Sequence, residues 1–150
     1  MVSLTQSGAG FFRICAALML AFAAQWASAD TDSFNYISPA DLKKELEAGA
    51  KPMLVDIQVE KEYAKHHLPN TLATYAYPAK SDAERARIKP FVERILASNK
   101  EVVIVCPGGG AGAENAYTFL KEQGVPEKRM RILERGQNGW PYPEMLEKAK

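Results

Sequence analysis

Val102-Val103-Ile104-Val105-Cys106-Pro107-Gly108-Gly109-Gly110-Ala111-Gly112-Ala113-Glu114 is the stretch from which the fold can be read. Its first four residues are β-branched and apolar, the signature of a strand buried on both faces. Cys106 follows at once, and four of the next six residues are glycine. Ala113, Ala116, Tyr117 and Leu120 then recur at the spacing of one helix face. A cysteine therefore stands at the carboxyl end of a strand, in a loop free to bend, before a helix start. Glycines let such a loop turn its N–H groups inward. Those groups and the positive end of the helix favour an anionic sulfur. Strand, cysteine, glycines and helix in this order point to a reactive thiol.

The flanks supply the rest of the pattern. Tyr36-Ile37 reads as a short strand. Ser38 as cap, Pro39 at the first turn and Asp41 at the positive end open a helix that Gly49 closes after Ala48. Met53 to Ile57 reads as a second buried strand, and the acid inside it, Asp56, needs a hydrogen-bonding partner. A short helix over Glu60–Lys65, a turn at His66–Asn70 and a strand over Thr71–Tyr75 follow. Ser81 and Glu84 have capping-box spacing, and the helix they open buries Ile88, Phe91, Val92 and Ile95. Pro90 inside it predicts a kink or a split. Gly124 ends the helix after the glycine loop, and Met130 to Glu134 form a last strand. Residues 135–140 form a loop, and a short helix is expected from Pro143. Alternating strands and helices predict an α/β fold with a mainly parallel sheet covered on both faces. Ligands of such sheets gather beyond the carboxyl ends of the strands, which puts Gln58, Cys106 and Arg135 on one rim.

The first residues read as a leader. Arg13 is the only charged side chain before Asp30, Ile14 to Ala24 is apolar throughout, and Ala27-Ser28-Ala29 offers a cleavage site. Eleven apolar residues are too few for the ~20 that span a bilayer. Residues 1–29 are therefore expected to be a cleaved signal peptide, 30–35 a flexible start and 36–150 one folded domain. With Arg13 removed, basic and acidic side chains balance, which offers nothing to nucleic acid or an anionic membrane. Cys106 is then the single cysteine, so no internal disulfide can form. One cysteine and the adjacent pair His66-His67 give no metal-ligand spacing, and no metal or cofactor is expected. His67 reads as a structural residue of its turn more readily than as a base. Tyr75 and Tyr77 are open to either rim or packing roles.

Four stretches together resemble the single-domain rhodaneses. Leu54-Val55-Asp56-Ile57 with Glu62-Tyr63 resembles the family's first strand and following helix. His67-Leu68-Pro69 resembles its turn. Val105-Cys106 with Gly109, Ala116 and Leu120 resembles its active-site loop and helix. Leu133, Gly136 and Trp140 resemble its last strand, glycine turn and tryptophan. The resemblance runs from about Tyr36 to Trp140 and implies a rhodanese-like five-stranded sheet. It also implies that Cys106 takes a sulfane sulfur, holds it as a persulfide and passes it to a thiophilic acceptor. The donor would be a small sulfane-sulfur compound or a protein persulfide, and the leader would place the protein in the periplasm. Pro107, Gly108, Gly109, Gly110, Ala111 and Gly112 would form the loop, and Asp56, Gln58, Arg135 and Trp140 are candidates for its rim, with Trp140 equally open to a core role and Arg135 to a plain surface one.

Two departures from the family pattern bear on the donor. Many members carry arginine where Ala111 and Gln58 stand here. Both changes remove a cation that could meet a dianion such as thiosulfate. The related phosphatases and arsenate reductases carry arginine at the seventh loop position, which is Gly112 here, so ester hydrolysis is not expected. The alternatives to sulfur transfer are a non-enzymatic module that binds a partner protein and a redox partner joined through a mixed disulfide at Cys106.

Overall fold

Successive residues of each buried strand divide between two apolar cores, which fixes the layering of the molecule. The computed structural model describes residues 33–149; the leader assigned to residues 1–29 lies outside them. Five strands form one sheet: β1 (Tyr36–Ile37), β2 (Met53–Asp56), β3 (Leu72–Ala73), β4 (Val102–Val105) and β5 (Met130–Leu133). Their order is β1-β5-β4-β2-β3, and every pairing is parallel. On one face Val55, Ile104 and Ile132 join Val92, Ile95, Ala116 and Leu120. On the other Leu54, Val103, Val105 and Leu133 join Leu42 and Trp140. The alternation follows from the pleat, since successive side chains leave a strand on opposite faces.

Among the described residues, five α-helices accompany the strands: α1 (Pro39–Glu47), α2 (Glu60–Lys65), α3 (Asp82–Arg85), α4 (Lys89–Ala97) and α5 (Ala111–Glu122). Ser38 caps α1 by accepting the Asp41 N–H at 3.1 Å, and Gly49, at φ +88°, follows its end as expected. The capping box at Ser81 and Glu84 is formed on both sides. It opens only four residues of helix, because the long helix expected over Ile88–Ile95 is split ahead of Pro90. Pro90 sits in the first turn of α4, where its missing N–H breaks no bond.

The sequence reading is corrected at three boundaries. The strand expected over Thr71–Tyr75 shrinks to Leu72–Ala73, the edge of the sheet, and Tyr75 turns away with φ +55°. The terminal helix is a single 3-10 turn at Pro143–Met145. Ala111 and Gly112, expected in the loop, are the first residues of α5. No described helix is long and apolar enough to cross a membrane.

Candidate active site

Cys106 follows β4 directly, in the middle of the sheet, and its sulfur accepts a hydrogen bond from the Gly109 N–H at 3.0 Å. Gly109 reaches that position with φ +72°, a left-handed conformation suited to glycine. Space demands glycine there too. A Cβ on Gly109 would lie 2.5 Å from the Arg135 backbone nitrogen and 2.8 Å from the Leu133 oxygen. Gly136 is the reciprocal case: at φ +56°, its Cβ would strike the Cys106 carbonyl oxygen and stand 2.6 Å from the Gly109 nitrogen.

The turn after β5 thus locks the cysteine loop. The Gln137 N–H donates to the Cys106 carbonyl at 2.8 Å, and the Asn138 N–H donates to the Pro107 carbonyl at 3.0 Å. Gly108, Gly110 and Ala111 are exposed, while Cys106 itself is 1% exposed. A reagent must therefore reach the sulfur between the loop residues. Gly112 lies beneath the Tyr77 ring, 2.6 Å from where a Cβ would stand, so Tyr77 walls one flank of the loop. Asn115 ties α5 to that flank through the Pro78 carbonyl at 3.1 Å.

The opposite flank carries negative charge. The Tyr36 hydroxyl donates to Glu114, in the first turns of α5, at 2.9 Å. Partial burial of the phenol, that bond, and the charges of Glu114 and Cys106 push the Tyr36 hydroxyl up to about 12. Tyr36 therefore stays protonated and lies within the field of the cysteine. Sequence reasoning missed this pair. Tyr36 and Glu114 are 78 residues apart, and no local pattern joins them.

The residues assigned to a rim occupy different places. Asp56 and Gln58 are buried beneath it: Asp56 accepts the Gln58 N–H at 2.8 Å and its side-chain Nε2 at 3.0 Å. This supplies the partner that a carboxyl in a strand requires. Burial outweighs these bonds and the nearby His67, and pushes the Asp56 carboxyl up to about 6. Trp140 belongs to the core on the α1 side and donates its Nε1–H to the Tyr142 carbonyl at 2.9 Å. Cys106 packs with the opposite core. Arg135 is exposed at φ +59°, with its aliphatic chain laid along Gly139. His67 lies stacked on Tyr63, its Nδ1 2.8 Å from the Tyr63 carbonyl, and it pairs through its backbone with Glu147. Gln137 is buried, and neither polar atom of its side chain finds a hydrogen-bond partner among the described residues. Those residues contain no group of acidic, histidine and cysteine side chains that could hold a metal ion.

This arrangement can present a nucleophilic sulfur to a small electrophile and stabilise negative charge on it through a backbone N–H. No curated protein matches the chain. Among solved structures it is similar to a rhodanese-like domain protein from Staphylococcus aureus, with 21% identity and a TM-score of 0.56. That match covers 78% of this chain and 100% of the other. A thiosulfate sulfurtransferase from Pseudomonas aeruginosa matches with 21% identity and a TM-score of 0.57, over 78% of this chain and 20% of that one. A Rhodopseudomonas palustris protein described as a possible tyrosine phosphatase matches with 19% identity and a TM-score of 0.56, over 73% and 80%. At such identities these likenesses speak for the fold alone. The Rhodanese-like domain family itself matches residues 38–141, from the cap of α1 to just past Trp140, and the chain belongs to that family.

Proposed function

We propose that the chain is a sulfurtransferase working through a persulfide on Cys106, exported by its N-terminal leader to the periplasm. One observation carries the reading: the Cys106 sulfur sits at the end of the central strand and accepts a backbone N–H from a glycine loop. The Cys106 thiolate attacks the sulfane sulfur of a donor. The bond from that sulfur to its former partner breaks, and the partner leaves with the electron pair. Cys106 then carries a terminal S⁻, an anion of the kind that the Gly109 N–H meets at the sulfur. A thiophilic acceptor takes the outer sulfur, and Cys106 leaves as a thiolate. No external oxidant or reductant enters, and one difficult transfer becomes two easier ones.

The charges around the loop bear on the donor. Ala111 opens α5 without a cation, Gln58 is turned inward to Asp56, and Glu114 stands on the flank held by Tyr36. A charge-assisted hydrogen bond contributes roughly 1.5–3 kcal/mol, so its absence weakens thiosulfate use by about tenfold to a hundredfold. Polysulfide or a protein persulfide is the better donor in this reading. Ala111→Arg is expected to lower the KM for thiosulfate.

Intact mass spectrometry tests the covalent step. After incubation with polysulfide, wild type gains the mass of one sulfur atom, and Cys106→Ser gains none. A protein that takes up no sulfur from any donor would be a binding module instead. One isolated in a disulfide with a partner would be a redox protein.

A further inference from the structure

At the other end of the sheet from Cys106, beside the amino ends of β2 and β3, lies a cavity of about 670 Å³. That is within the ~300–1,000 Å³ of small-ligand sites. Met53, Leu54 and Leu72 give it an apolar floor, reaching both cores of the molecule. Its charged residues are Lys51, Arg94, Lys100 and Glu47. Glu47 is paired with Lys43, whereas no ion pair holds the three cations among the described residues.

Cations at the carboxyl ends of helices often do no more than meet the last carbonyls. Here several of those carbonyls have other partners. At the end of α1, Ala48, Gly49 and Ala50 donate to the carbonyls of Lys44, Leu46 and Glu45. At the end of α4, the Ile95 carbonyl takes the Ser98 N–H and the Arg129 guanidinium, which also bonds the Lys100 carbonyl. The three cations line a hollow whose floor is hydrocarbon.

From this we infer that the cavity is a binding site for a single-chain amphipathic anion, with its head between Lys51, Arg94 and Lys100 and its chain along Met53, Leu54 and Leu72. Complementary charge and an apolar floor suit an alkyl carboxylate better than a peptide, whose backbone polar groups would go unmet on that floor. The site is separate from Cys106 and stands whether or not the protein transfers sulfur.

The test is calorimetric titration of the full chain with decanoate, decanol and decyltrimethylammonium. Decanoate is expected to saturate a single site. Decanol and the cation are expected to bind about tenfold more weakly or not at all, as is decanoate to the variant Lys51→Gln/Arg94→Gln/Lys100→Gln. Backbone amide shifts of wild type with decanoate locate the site without any substitution: Met53 and Leu72 move, and Gly109 does not. Equal binding of decanol, an unchanged affinity in the variant, or no saturation would overturn the inference. So would shifts centred on residues 108–112, or displacement of decanoate by a glutamate-rich peptide at equal concentration.

Discussion

Gln137 has its backbone on the cysteine loop and its side chain in the protein interior, without a hydrogen-bond partner among the described residues. A buried amide without partners costs about 1–3 kcal/mol relative to an apolar group of similar shape. Gln137→Leu is therefore expected to raise stability by about that amount, read as a higher urea midpoint. A lower midpoint would mean that the amide is satisfied in solution. Gly136→Ala has the opposite sign, because the new Cβ falls on the Cys106 carbonyl at a φ of +56°. It is expected to destabilise by about 2 kcal/mol or more and to abolish sulfur uptake at Cys106. If this variant takes up sulfur at the wild-type rate, the turn after β5 does not shape the site. Single residues were legible where chemistry is local. The place of Cys106 between β4 and α5 could be read from order alone, and the need of Asp56 for a partner from the cost of burying an acid. The Tyr36–Glu114 contact depends on how distant segments meet, and the inward turn of Gln58 on a bond back to Asp56 that residue type alone does not announce.

Elements were legible where an end carried its own signal. Ser38 and Gly49 bound α1, and Pro90 marked the break between α3 and α4. The strand over Thr71–Tyr75 was overextended because its β-branched, apolar and aromatic residues look the same whether or not a neighbour pairs with them. Leu72 and Ala73 pair in register with β2; beyond them only the Thr74 and Tyr77 N–H groups reach that edge, at the Asp56 and Ile57 carbonyls, among the described residues. The glycine loop was drawn too long at its far end. Gly112 is a weak helix former, yet it is held in α5 because only a residue without a side chain fits under Tyr77. A capping box on four residues has little helix to support it, but Glu84 also accepts the Lys80 and Ser81 N–H groups. Ser81→Ala is expected to cost about 1 kcal/mol, with faster amide exchange confined to residues 82–86. Faster exchange throughout α4 as well would show that the two helices open as one unit.

The stability of the whole molecule should carry the mark of Asp56. Its carboxyl titrates near 6 in the folded chain, against 3.8 for the ordinary group. Below pH 3.8 both folded and unfolded states hold the proton, and the group contributes nothing. Between about 4 and 6 the unfolded chain releases it first, so stability falls as pH rises. Above 6 the full penalty, on the order of 3 kcal/mol, is present. Glu45, held low by its paired bonds to Arg131, acts in the opposite direction at more acidic pH. The clean measurement is therefore the difference between wild type and Asp56→Asn in urea midpoint from pH 4 to 8. The variant is expected to gain on wild type as pH rises and to level off above 6; a flat difference would mean that Asp56 ionises freely. The parallel sheet and its two covered faces were legible from the alternation of strands and helices, because that pattern permits few packings. The order of the strands was not, since it depends on which edges meet. That order has a consequence for timing. β5 lies between β1 and β4, and the turn that holds the Cys106 carbonyl comes after it. During synthesis the cysteine leaves the ribosome about thirty residues ahead of Gly136 and Gln137. Until those residues dock, the Cys106 and Pro107 carbonyls lack the bonds that lock the loop, so the nascent chain carries its thiol before it owns the finished place where that thiol can work.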